Sequence, residues 1–149
     1  YPRYTGNLIT YDHKFTDVRQ ELLPGVETNT GYNPQYPFGF GLSYTTFGYS
    51  NLSLSSNELT GDNKLTVSVT VKNTGTKVGK EVVELYSRDL FASVTPPQKR
   101  LRAFKKVSLE PGQEQKVEFS IDKNESKTVT ELGEFELMVD TLKSNFIYK

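Results

Sequence analysis

Strict alternation of apolar and polar residues limits the folds open to this chain more than any other feature: Leu65, Val67, Val69 and Val71 alternate with Thr66, Ser68 and Thr70. A period of two sends successive side chains to opposite faces of a strand, so this segment offers one face to a core and the other to water. Val117, Phe119 and Ile121 repeat the pattern against Lys116, Glu118 and Ser120, as do Phe135, Leu137 and Val139 against Glu136 and Met138. Four more strands are expected, at Phe47 to Leu54, Glu81 to Arg88, Arg102 to Leu109 and Asn145 to Tyr148. Turn chemistry separates them: Asn73-Thr74-Gly75, Leu132-Gly133, and Pro111-Gly112, whose fixed proline φ followed by glycine suits a type II turn. No segment carries a helical stripe of useful length, and the chain is expected to be all-β.

Seven short strands over about 100 residues suit a two-sheet antiparallel sandwich of the immunoglobulin or fibronectin type III-like kind, with barrel closure as the alternative architecture. The front of the chain is different. Eleven of the eighteen Phe and Tyr residues precede position 50, yet no alternating run long enough for a sheet accompanies them. Between Phe15 and Phe38 lie Asp17, Pro24, Gly25, Asn29, Gly31, Asn33 and Pro34, which read as turns and irregular backbone. Irregular segments of this length serve as linkers or functional loops rather than domain interiors. Residues 1–46 are therefore expected to form an irregular N-terminal strap, packed on surfaces outside this sequence or on the module that follows, and residues 47–149 to fold as the sandwich.

Charge and composition argue against several functions. Lys and Arg together equal Asp and Glu at 18 each, so no long-range field draws the chain to nucleic acid or to an anionic membrane. Without cysteine there is no disulfide framework or thiolate site, and His13, the single histidine, cannot build a nitrogen or sulfur zinc cage. Neither a metal nor a cofactor is expected. Asp12, Asp17 and Glu21 read as solvated carboxylates, no Gly-x-Ser-x-Gly elbow occurs, and Gly39 and Gly41 are followed by no helix to complete a phosphate site. Lys99, Arg100, Arg102, Lys105 and Lys106 form one basic run, which alternation would divide between two strand faces. The chain opens at Tyr1 with no Met and no charged-then-apolar leader, and is read as an internal cut of a longer polypeptide.

The run from Tyr36 to Phe47, in which aromatics alternate with glycines, resembles the segment that leads into the C-terminal fibronectin type III-like domain of glycoside hydrolase family 3 enzymes. Val71 to Gly75 with Gly79 to Tyr86 is similar to the strand, tight turn and strand that come next in the family, and Ser93 to Gln113 to the segment after that. Tyr1 to Gly6 with Ile9 to Lys14 resembles the exit of the preceding α/β sandwich domain. The chain departs from the family's pattern at Asp140 to Ser144, where a Gly and a Ser-Ser pair are usual, so a reshaped last hairpin is expected.

The resemblance implies a parent enzyme that is a retaining exo-acting β-glucosidase or β-xylosidase, periplasmic or secreted, with its nucleophile and acid/base on upstream domains. Retention requires two carboxyl groups roughly 5 to 5.5 Å apart, and neither motif position falls in this sequence. The expected role is thus a non-catalytic accessory module with no catalytic residue of its own, whose partners are the catalytic domains of the same chain and, through them, a β-linked oligosaccharide. Tyr4, Tyr11, Tyr32 and Tyr36 are candidates for the rim of the parent's pocket, and Phe38, Phe40, Tyr44 and Phe47 for packing against the neighbouring domains. A carbohydrate-binding module and a stand-alone adhesion or interaction domain are the rival classes.

Overall fold

The computed structural model describes residues 1, 35–60, 63–91, 99–122 and 132–149, and among these the regular structure is entirely β. In chain order the strands are β1 (Phe47–Leu54), β2 (Glu58–Leu59), β3 (Leu65–Asn73), β4 (Gly79–Asp89), β5 (Arg100–Leu109), β6 (Glu114–Ile121), β7 (Gly133–Val139) and β8 (Leu142–Tyr148). They divide into a three-stranded sheet, β1-β3-β6, and a five-stranded sheet, β2-β8-β7-β4-β5. The architecture is the two-sheet sandwich and not a closed barrel. All pairings are antiparallel except that of β2, which runs parallel to β8 through Glu58 and Leu59.

Alternation builds the core as the sequence requires. In the three-stranded sheet Val67 lies opposite Phe119 and Val69 opposite Val117, with their side chains turned inward and fully or nearly buried. The five-stranded sheet answers with Val83, Leu85, Leu109, Leu137 and Val139, none of which retains solvent exposure. The outward positions of the smaller sheet are hydroxyls and charges: Thr66, Ser68, Thr70 and Lys72 pair with Ser120, Glu118, Lys116 and Glu114.

Irregularities fall where the local residues permit them. A bulge in β1 between Ser50 and Ser53 holds Asn51 at φ 55°, a left-handed conformation that asparagine tolerates. The β5–β6 connection is the expected turn, since Gly112 has φ 77° and the Gln113 amide donates to the Glu110 carbonyl at 3.0 Å. The last hairpin closes over two residues, Asp140 and Thr141, with Val139 opposite Leu142 and Asp140 at φ 52°. Strand β8 is consequently longer than the Asn145 to Tyr148 segment expected from the sequence.

Candidate functional site

The described part of the strap begins with a turn. The Phe40 amide donates to the Pro37 carbonyl at 3.1 Å, with Gly39 at φ 84° in the third position, where a side chain would be strained. This reversal folds the Tyr36 ring back onto Phe40, the two centroids 4.9 Å apart. Gly39 also rests directly on the Glu84 carboxylate, and a β-carbon there would meet it. Glu84 and Tyr86 lie on the outward face of β4, where the Tyr86 hydroxyl donates to Glu84 Oε2 at 2.6 Å and Lys99 Nζ stands 4.3 Å above the ring. An outward tyrosine is ordinarily half exposed, but Tyr86 keeps only 6% of its surface in water. The strap and Lys99 cover it.

Further along, the strap is stitched to the β3–β4 turn. Thr45 Oγ1 donates to Asn73 Oδ1 at 2.7 Å, and the Thr74 amide donates to the Thr46 carbonyl at 2.8 Å. Gly75 permits this approach, since a β-carbon on it would press on Thr45 and come within 3.0 Å of the Thr46 nitrogen. Asn73 is wholly buried and uses its entire side chain: Nδ2 donates to the carbonyls of Lys77 and Leu109 at 2.8 and 2.9 Å, while Oδ1 also accepts from the Gly75 amide at 3.1 Å. One amide thereby ties together the strap, the β3–β4 turn and the end of β5.

Held at Gly39 and at Thr45 and Thr46, the described stretch 35–46 displays rings. Tyr36, Phe38 and Phe40 are each about half exposed, and Leu42 and Tyr44 are almost fully exposed. Phe47 is placed differently from the other three packing candidates: it is partly buried against the sandwich's own core. Tyr4, Tyr11 and Tyr32 lie outside the described residues, as do His13, Asp12, Asp17 and Glu21. Sequence reasoning did not single out Glu84, Tyr86 and Lys99 as the seat of the strap. The signal was available in part, since alternation from Leu85 puts Tyr86 on the outer face, where an aromatic needs a cover.

The described carboxylates with close partners serve the framework. Tyr49 on β1 donates across the sandwich to Glu81 Oε1 on β4 at 2.8 Å; burial first, then this bond and the Glu81 charge, drive the phenol well above its ordinary range. Glu136 meets Lys143 at 3.3 Å and Arg88 at 3.6 Å, and Asn145 donates to Glu134 at 2.9 Å. On the smaller sheet the bond and charge of Lys116 hold the Glu118 carboxyl below its usual range. The basic run is divided as expected, with Lys99 on Tyr86, Arg102 bonded through Nε to Ser87, and Lys105 and Lys106 at successive registers of the β5 edge. Among the described residues no group of three His, Cys, Asp or Glu side chains is placed to hold a metal ion.

With this geometry in view, the class is a fibronectin type III-like sandwich, and residues 81–142 match the sequence profile of the Fibronectin type III-like domain. The chain is 45% identical over 115 residues to a putative β-xylosidase of Formosa agariphila, an alignment covering 72% of this chain and 15% of the relative. It is 48% identical over 89 residues to a periplasmic β-glucosidase of Salmonella typhimurium, covering 60% of this chain and 12% of that one. The crystal structure of a β-glucosidase from Listeria innocua in complex with glucose superimposes with a TM-score of 0.80 at 30% identity, over 94% of this chain and 22% of the other. The chain carries a fibronectin type III-like domain and is similar to segments of proteins described as β-glucosidases and β-xylosidases. It spans about one-eighth to one-fifth of the length of these relatives.

Proposed function

We propose that this segment is a non-catalytic accessory module of a retaining, exo-acting family 3 glycoside hydrolase, most simply a β-glucosidase, in which residues 1–46 strap the sandwich of residues 47–149 to the catalytic domains and help shape the rim of the pocket. The observation that carries the reading is the exposed row of strap rings, Tyr36, Phe38, Phe40 and Tyr44, on a segment otherwise bonded firmly to the module. Each half-exposed ring still has roughly 1 to 2 kcal/mol of burial to gain from a neighbour. Relatives roughly four to five times as long as this chain have room for such neighbours within one polypeptide. The rings of Tyr4, Tyr11, Tyr32 and Tyr36 belong to the same proposal as contacts at the pocket's edge. The periplasmic relative favours a periplasmic or secreted parent.

Two assays test this. The 149-residue chain is expected to release no aryl alcohol above background from aryl β-glucosides or β-xylosides, while the full-length protein turns one of them over. Turnover by the short chain would overturn the non-catalytic assignment. The Tyr36–Phe40 stack is also a platform on which a sugar ring can lie, and it favours the carbohydrate-binding reading enough to test. Titration of the short chain with cello-oligosaccharides, followed by tyrosine fluorescence, is expected to show no saturable binding. Saturation would replace bracing with glucan capture.

A further inference from the structure

The geometry points to a binding site for an acidic saccharide on the outer face of β4 and β5, built from Phe104 and Val82 with Lys80 and Lys106 beside them. The inference rests on the accessory-module reading and adds to it a class of glycan and the surface that holds it. Apolar exposure alone does not single this surface out, since Ile147 on the β7–β8 half is 43% exposed and Val82 42%. Charge does. On the three-stranded sheet Lys72 meets Glu114 and Lys116 meets Glu118, and on the other half of the larger sheet Glu136 takes Lys143 and Arg88 while Glu58 takes Lys149. Among the described residues no ion pair involves Lys80, Lys105 or Lys106, all three of which are exposed. The carboxylates around them have other partners: Glu84 accepts from Tyr86, Glu81 accepts from Tyr49, and Glu118 is bonded to Lys116, with Lys105 adding only its charge.

The strand register brings the four side chains together. Lys106 lies opposite Val82, Phe104 opposite Glu84 and Ser108 opposite Lys80, so Phe104, Lys106, Val82 and Lys80 share one face across two strands. Paired strands stand about 4.8 Å apart and alternate residues about 6.6 Å, which puts one ring and two cations within reach of a single sugar unit. Phe104, 68% exposed, offers apolar surface to the C–H face of a pyranose. The ammonium groups beside it then donate charge-assisted hydrogen bonds to a carboxylate or sulfate carried on that ring or the next. Lys105, one position before Lys106 on the terminal strand of its sheet, adds a third cation at the free edge. The chain's zero net charge removes any long-range pull, but a local excess still acts within a Debye length of about 10 Å. Lysines also guard free strand edges against pairing, a duty that calls for no exposed phenylalanine among them.

Calorimetric titration of the 149-residue chain and of the full-length protein tests the site with β-1,4-linked glucuronic acid oligomers, sulfated cello-oligosaccharides and plain cello-oligosaccharides. Saturation by one acidic series or both is expected, and names the acid group; the neutral series is expected to show none. Affinity should fall as salt rises. Lys80→Ala with Lys106→Ala is expected to weaken binding about tenfold, and Phe104→Ala about fivefold. Lys143→Ala, which removes an ion-paired lysine on the other half of the sheet, should leave affinity unchanged, as should Lys80→Arg with Lys106→Arg, which keeps both charges. No saturation by either acidic series overturns the inference. Equal affinity for poly-glutamate does so too, since any polyanion then suffices, and so does binding by the short chain that the full-length protein lacks, which gives the face to a neighbouring domain. Self-association of the Lys80→Ala, Lys106→Ala variant with undiminished affinity overturns it as well, and assigns the lysines to guarding the edge. A full-length hydrolase that binds no acidic oligomer loses this site alone. A short chain that binds them and also hydrolyses aryl β-glycosides keeps the site and removes the accessory reading beneath it.

Discussion

Asn73 shows how one residue can join a strap to a sandwich. Its amide is fully buried with two donors and one acceptor oxygen all engaged, and its neighbours lose their partners if it is truncated. Asn73→Ala would leave the carbonyls of Lys77 and Leu109 and the Gly75 amide unpaired, at about 1 to 3 kcal/mol for each buried group before relaxation. We expect a net loss of about 3 kcal/mol, read as a lower urea midpoint with an unchanged m value. Asn73→Asp keeps the shape but points a carboxylate at two carbonyl oxygens, and at neutral pH it is expected to cost at least as much. A loss below about 0.5 kcal/mol, the size of an ordinary surface change, would show the network to be idle. The sequence marks Asn73-Thr74-Gly75 as a turn, which it is, but gives no sign of the hub. Two of the partners, Thr45 and Leu109, stand 28 and 36 residues away, and no local pattern encodes contacts at that range.

At the level of strands, seven of the eight elements were legible, three of them (β3, β6 and β7) through strict alternation that buries one face. Strand β2 escaped: two residues, Glu58 and Leu59, have no period, and the Ser and Asn around them read as a loop. Its contribution is nevertheless measurable, since Leu59 is 4% exposed and belongs to the core. Leu59→Ala is expected to cost about 2 to 4 kcal/mol in chemical denaturation, the usual range for a buried leucine, and a cost within 0.5 kcal/mol would mean that β2 is dispensable. The bond from Tyr49 to Glu81 joins the two sheets and gives the fold an alkaline limit. The phenol's pKa is raised in the folded state, chiefly by burial and then by Glu81. Above a pH of about 10 the unfolded chain therefore gives up a proton that the folded chain retains, so stability is intact below that pH and falls as pH rises beyond it. The slope from this one group is at most about 1.4 kcal/mol per pH unit, reduced by the water that reaches a half-buried ring. Urea titrations between pH 8 and 11 should show a shallower alkaline decline for Tyr49→Phe than for the parent sequence, together with a loss of about 1 kcal/mol at neutral pH for the missing bond. Parallel declines would assign the alkaline limit to other groups.

Among the described residues, a closed core is paired with an outer segment of exposed rings. The sandwich buries its inward leucines and valines completely, whereas Phe38 and Phe40 on the strap are 48% and 52% exposed. Equal numbers of acidic and basic residues leave no net charge to keep such rings from finding one another in concentrated solution. This contrast separates the strap's two roles by experiment. In the 149-residue chain, Phe38→Ser with Phe40→Ser is expected to raise solubility and weaken binding of a hydrophobic dye, while folding stability changes by less than about 1 kcal/mol, because both rings are about half exposed. On the proposed bracing role, the same pair of substitutions in the full-length protein removes the strap's half of the contact with the catalytic domains. There the thermal midpoint of activity is expected to fall by several degrees, with KM rising if the strap also shapes the pocket's rim. Were the double variant to destabilise the short chain as much as the long one, the rings would be packing the module itself, and the strap would have no bracing to do.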